Sequence, residues 1–162
     1  MEHQNLNENM AIKVAKILYG MTEIENEDLE EEEGDDKMFM AVTKIEDKAK
    51  YVELFLRIVR LLDLEACVII HVLMLIDEFM FSKIKILKKN TLMLVTVTAI
   101  SLSYKFNYDD IISGYKLATS VFQLKENELI DMEIEFLKGI DYKLLYTKEE
   151  FQVFINEVSL YE

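Results

Sequence analysis

The run from Thr91 to Tyr104 holds only apolar and hydroxyl-bearing residues, and the first charge after it is the single lysine Lys105, followed by Phe106, Asn107, Tyr108, Asp109 and Asp110. A helix with no polar face has no side to turn toward water, so it must pass through the middle of a fold and be wrapped by other helices. The run is also shorter than the ~20 residues that span a bilayer. Lys105 therefore marks the place where a buried element surfaces. A cation fixed at the rim of a rigid core is well suited to grip a partner.

The rest of the chain reads as helices that could supply the wrapping. Met10, Val14, Ile17, Leu18 and Met21 share one helical face, with Asn9 as a candidate cap. Phe39, Val42 and Ile45 lead into a helix from about Lys50 to Leu61, whose inner face holds Leu54, Phe55, Ile58 and Leu62. Asp63 is placed to cap the next helix, Leu64 to Phe79, which is apolar almost all round; Asn90 is placed to cap the central one. A further helix follows Asp109 or Asp110. Another runs from Glu126 to Gly139, with Leu129, Met132, Phe136, Leu137 and Ile140 inward and Gly139 near its end. Thr147 and Glu150 form a capping box ahead of Phe151, Val153, Phe154 and Val158. With no proline and four glycines there is little material for hairpins, so the expected class is all-α.

Charge and composition narrow the function classes. The net charge is −13, but Glu23 to Asp36 alone contains ten acidic residues and no basic one; elsewhere 18 basic side chains meet 21 acidic ones, a balance of −3. That block repels itself and buries little, so it reads as a mobile acidic loop rather than a docking site for a basic partner. Nucleic-acid binding is disfavoured, because the largest basic cluster is Lys83, Lys85, Lys88 and Lys89, which reads as a solvated helix end. The lone Cys67 cannot form an internal disulfide, and no secretory leader opens the chain, so an intracellular location, nucleus or cytoplasm, is expected. Neither a membrane association nor a small-molecule substrate is expected.

No constellation suggests catalysis or a cofactor. His71 lies within an apolar stretch and reads as a satisfied core histidine; Cys67, four residues earlier on the same face, would be at best half of a metal site. Asp109 and Asp110 read as helix caps rather than cation ligands. The nine methionines are spread through the apolar positions and read as packing.

The order of these elements resembles the single-box cyclins of the P/U type, the kind that partners phosphate-sensing and related cyclin-dependent kinases. The likeness covers nearly the whole chain. It rests on the leading amphipathic helix, on Leu56-Arg57-Ile58-Val59-Arg60-Leu61-Leu62-Asp63, and on the apolar residues ending in Ile76-Asp77. It continues with Ala99-Ile100-Ser101-Leu102-Ser103-Tyr104-Lys105-Phe106 with Asp109-Asp110, with Tyr115 and Ala118, and with Glu128 to Leu137. The pattern is broken at Glu78, where arginine is usual, and at Ser120 and Val121, where glycines are common.

The resemblance implies a single cyclin box, a five-helix core around a buried central helix, with an extra N-terminal helix and a short C-terminal one. Its expected layout is an N-terminal helix over residues 1–22 packing on the box, an acidic loop over 23–38, and the box with its C-terminal helix over 39–162. It further implies a non-enzymatic regulatory subunit, without cofactor or metal, that binds and activates a cyclin-dependent protein kinase in cell division or nutrient signalling. The alternative is a cyclin-fold scaffold that binds another protein and activates nothing. By the same resemblance, Lys105 and Glu133 pair and meet the backbone leading into the kinase's regulatory helix. Leu102, Phe106, Tyr142 and Leu144 supply the groove, while Asp77 ties helices together with a basic residue such as Arg57.

Overall fold

The computed structural model describes residues 2–23, 39, 45, 47–83, 87–109 and 124–161. Among them are six helices and no strand: α1 Glu2–Met21, α2 Lys48–Leu62, α3 Ala66–Lys83, α4 Leu92–Tyr108, α5 Glu126–Gly139 and α6 Lys148–Leu160. The fold is all-α, as the apolar periodicity predicts. The helix expected after Asp110, with Tyr115 and Ala118, lies outside the described residues, as do Ser120, Val121 and all of the acidic block except Glu23.

The charge-free run is the centre of the molecule. Every residue of α4 from Leu92 to Ser103 is buried except Leu94, which is half-buried. Helices α3 and α5 pack against it, and α1 packs across α2 and α3. Hydroxyls at such depth need partners, and α4 provides or finds them. Thr96 and Thr98 donate back to the carbonyls of Leu92 and Leu94, at 2.6 and 2.7 Å. Thr96 also meets the Tyr51 hydroxyl of α2 at 2.8 Å. Ser101 and Ser103 bond Glu133 and His71 on the two flanking helices. The serines and threonines that kept the run from being purely aliphatic thus become its ties to its neighbours.

The helix ends differ from the expected ones in an instructive way. Three helices end on an aspartate in the left-handed region: Asp63 (φ 51°) after α2, Asp109 (φ 53°) after α4 and Asp141 (φ 53°) after α5. Asp63 therefore terminates α2 rather than capping α3 as its side chain suggested; Asp109 terminates α4, and the helix it was expected to cap lies outside the described residues. Aspartate is among the few side chains that tolerate this backbone, and a chain with four glycines uses it where glycine is the usual choice. Gly139 is the last residue of α5 rather than the left-handed one; beyond it Asp141 N–H reaches the Lys138 carbonyl and Tyr142 N–H the Leu137 carbonyl at 2.8 Å.

Two N-terminal expectations are also corrected. Thr91, not Asn90, precedes α4, and its hydroxyl bonds Lys88 rather than the helix. Helix α1 begins at Glu2, two turns before Asn9. The extra turns carry Asn7, whose side-chain carbonyl accepts the Ala66 N–H at 3.0 Å, while the Tyr108 hydroxyl accepts the Glu65 N–H at 3.1 Å. The start of α3 is thus capped by side chains from α1 and α4, because Asp63 is occupied in ending α2. Asn7→Ala should cost about 1 kcal/mol, and Asn5→Ala, exposed on the same helix, close to nothing. Urea unfolding of the two variants checks the contrast.

Helix α6 starts as expected. Thr147 Oγ1 accepts the Glu150 N–H at 3.1 Å and the Glu150 carboxylate accepts the Thr147 N–H at 2.9 Å. The ring of Phe151 lies 6.1 Å from that of His71 and the carboxylates of Asp77 and Glu157 interact, so α6 runs beside α3 in the same direction.

Candidate functional site: an ion pair at the rim of the core

Lys105 and Glu133 come together across the α4–α5 contact. Lys105 Nζ donates to both carboxylate oxygens of Glu133 at 2.7 Å, and Ser101 Oγ donates to Glu133 Oε1 at 2.8 Å. Their side chains retain 16% and 10% of their accessible surface, so the pair lies at the rim of the core rather than on the open surface. Ser101 and Lys105 are one helical turn apart, which is why both face α5. The carboxylate is held by two donors from one helix. That geometry fixes it more firmly than a mobile surface ion pair, whose ordering cost offsets most of its attraction.

The next face of α4 carries Leu102, buried, and Phe106, 46% exposed. Beyond α5, Leu144 is half-buried and Tyr142 is 62% exposed. Asp141 and Tyr142 both have positive φ, 53° and 58°, and this double left-handed turn swings the chain back toward α3. A left-handed conformation at a bulky residue costs on the order of 1–3 kcal/mol and persists only where surrounding contacts hold it.

The holding contact is His71, and sequence reasoning named it only as a core residue. It is 1% exposed, and both ring nitrogens are engaged. Nε2 lies 2.8 Å from the Leu144 carbonyl. A carbonyl only accepts, so the proton is on Nε2 and Nδ1 is the acceptor. Nδ1 receives the Ser103 hydroxyl at 2.7 Å and the Asn107 amide at 3.1 Å. Asn107 is itself oriented by donating to the Ser103 carbonyl at 2.7 Å. Around the ring stand Phe106 at 5.6 Å and Tyr146 at 5.8 Å. Burial pushes the His71 pKa below its ordinary value, with the Leu144 carbonyl acting in the opposite sense. Spacing offered a clue to this network: Ser103 and Asn107 are one turn apart on the face of α4 opposite Ser101 and Lys105.

The expected Asp77–Arg57 tie is not formed. Arg57 is exposed on α2, beside Glu53, Arg60 and Leu61, and it is Arg60 that pairs, with Glu8 of α1 at 2.8 Å. Asp77 lies near the far end of α3, next to α6, where α2 does not reach. Partial burial, then the carboxylates of Glu157 and Glu78, push its pKa up. Because the folded pKa lies above the unfolded one, Asp77 opposes folding at neutral pH and ceases to do so as pH falls through its folded value. Asp77→Asn should therefore raise the melting temperature at pH 7 and have little effect near pH 4, a contrast that calorimetry at the two pH values checks. Cys67 is exposed at the surface, with its thiol 3.8 Å from the Glu65 carboxylate, and partial desolvation together with that carboxylate pushes its pKa up. With both His71 nitrogens taken, the two do not make a metal site. Among the described residues no cluster of histidine, cysteine and acidic side chains is arranged to hold a metal ion, and no helix is long and apolar enough to cross a membrane.

No curated protein matches the chain. The family described as Cyclin matches residues 10–144, a span that begins inside α1 and ends at Leu144, taking in the ion pair, the His71 network and the turn that His71 holds. This all-α chain, with its central buried helix and rim ion pair, belongs to the cyclin family.

Proposed function

We propose that the chain is a single-box cyclin of the P/U type that binds a cyclin-dependent protein kinase and activates it by positioning the kinase's regulatory helix. The observation that carries this reading is the Lys105–Glu133–Ser101 arrangement at the edge of an apolar surface. A pre-aligned cation and carboxylate supply a donor and an acceptor to the kinase backbone entering that helix. Leu102, Phe106, Tyr142 and Leu144 supply the area removed from water. Polar groups set orientation and the apolar contacts set affinity, the usual division at an interface.

The chemistry belongs to the kinase. A protein kinase is competent when its β-sheet lysine pairs with the glutamate of its regulatory helix. A subunit that binds only the inward position of that helix shifts the population toward it by its differential affinity; a shift from 1:99 to 99:1 needs about 5.5 kcal/mol. Residues 1–22 act as an accessory helix on the box, and residues 39–162 form the box and its closing helix. The protein works inside the cell, where its kinase is.

The test is affinity purification of the tagged chain, identification of the captured proteins, and assay of the captured kinase with and without added chain. A cyclin-dependent kinase whose phosphotransfer rises with the chain is the expected result. Capture of a partner with no kinase activity would replace this reading with the scaffold.

A further inference from the structure

We propose that His71 is a positioning residue for the groove: its neutral ring latches the Tyr142–Leu144 segment against α3, and protonation of Nδ1 releases that segment. For its consequence on a partner this rests on the function proposed above; the latch itself does not.

His71 joins three parts of the site through polar contacts: it stands on α3, accepts from Ser103 and Asn107 of α4, and donates to the Leu144 carbonyl beyond α5. Its ring also packs against Phe106, the exposed apolar residue of the same groove. The segment it holds has reason to move when released, because Asp141 and Tyr142 both sit in the left-handed region and Tyr142 is mostly exposed. Its other anchors are the Leu137 carbonyl that receives the Tyr142 N–H, the Ile140 carbonyl that receives the Lys143 N–H, and an exposed Lys143–Glu150 ion pair at 3.5 Å, so His71 supplies the buried hold on Leu144 itself.

The network is built for one protonation state. A proton on Nδ1 would point at the Asn107 amide, which is fixed as a donor by the Ser103 carbonyl. Ser103 Oγ would have to stop donating to the ring and turn its lone pair toward it. Among the described residues no charged side chain acts on the ring to compensate. From α4 it meets Ser103, Asn107 and Phe106; from the segment after α5, Leu144 and Tyr146; from α6, Phe151. Among these Tyr146 is titratable, and burial pushes its pKa up, so it stays neutral. On α3 itself Cys67 stands one turn earlier, and its thiol is also pushed up and neutral.

The sign follows. The folded-state pKa of His71 lies below the ordinary 6.5, so the unfolded chain takes up the proton first. The stability contributed by the neutral latch is complete above about pH 6.5 and is lost as pH falls from there toward the folded value. Local release of a strained turn costs less than unfolding the box, so the segment opens before the core does.

The experiment is NMR of the full chain, with amide signals of Tyr142 to Leu145 and the His71 ring protons followed from pH 8 to pH 5. Signals from α1 and α2 serve as the reference. The expected result is that the segment shifts or broadens with the His71 midpoint while the reference signals hold. In His71→Gln, whose amide replaces the Nε2 donor and cannot be protonated, the segment should keep its neutral-pH position down to pH 5. In His71→Phe, which keeps the ring stacking without the hydrogen bonds, it should be released at every pH. Overturning results are a segment that stays fixed to pH 5, whether or not the ring titrates, or one that moves identically in His71→Gln. If a kinase binds, its affinity for the wild-type chain should fall about tenfold between pH 7.5 and pH 5.5 relative to His71→Gln. A kinase that never binds would sink the proposed function and leave the NMR result standing.

Discussion

Lys105→Ala is expected to destabilise the fold by about 3 kcal/mol, and adding Glu133→Ala is expected to recover most of that loss without recovering kinase binding. The single substitution strands a carboxylate with 10% of its surface exposed and leaves the Ser101 hydroxyl donating to it. The double substitution removes both charges and leaves Ser101, which can return its hydroxyl to the backbone one turn earlier, as Thr96 and Thr98 already do. Recognition behaves differently. Either change removes one of the two groups offered to the kinase backbone, and at the centre of an interface such a loss costs about thirtyfold or more in affinity. Urea unfolding and a binding assay on the same three proteins therefore give opposite rankings for the double variant. A double variant that binds as tightly as wild type would remove Lys105 and Glu133 from the site, whatever its stability.

Phe136→Ala should be the most damaging single change in the core, at about 3–5 kcal/mol. Phe136 is fully buried on α5 and stacks on Phe79 of α3, with centroids 4.4 Å apart and planes 11° from parallel. Phe79 in turn meets Phe39 edge-on at 5.6 Å. Truncating the Phe136 ring opens a cavity between the two helices that carry His71 and Glu133, and relaxation around it is limited because α4 fills the remaining space. Against a total stability of about 5–15 kcal/mol, the variant retains little margin. Chemical denaturation checks the size of the loss. A cost under about 1 kcal/mol would mean that α3 and α5 do not pack through these rings.

What was legible in the sequence is what periodicity and charge encode directly. The central helix, its burial and the surfacing of Lys105 followed from fourteen residues without charge. The limits of α5 and the capping box at Thr147 were read from local patterns that act within four residues. The pairing of Lys105 with Glu133 came from family resemblance, and no spacing rule joins residues 28 positions apart.

The misreadings share a cause. Asp63 has a side chain suited to capping, and its left-handed backbone is invisible in composition; what decides between starting one helix and ending another is where the chain has to turn. Asn7 and Tyr108 cap α3 from other helices, contacts set by packing alone. The Asp77–Arg57 tie failed because α3 carries Asp77 toward α6 and away from α2. His71 was correctly legible as a satisfied core histidine, but not as the residue that holds the turn after α5. Its partner there is a backbone carbonyl 73 residues away, which no side-chain pattern can announce.

The most direct test of the central claim is the phosphotransfer rate of a cognate cyclin-dependent kinase, measured against increasing concentrations of the purified chain. The expected rate rises and saturates with the wild-type chain and stays at its basal value with the Lys105→Ala, Glu133→Ala protein. A kinase that binds the chain to saturation without any increase in rate would contradict it.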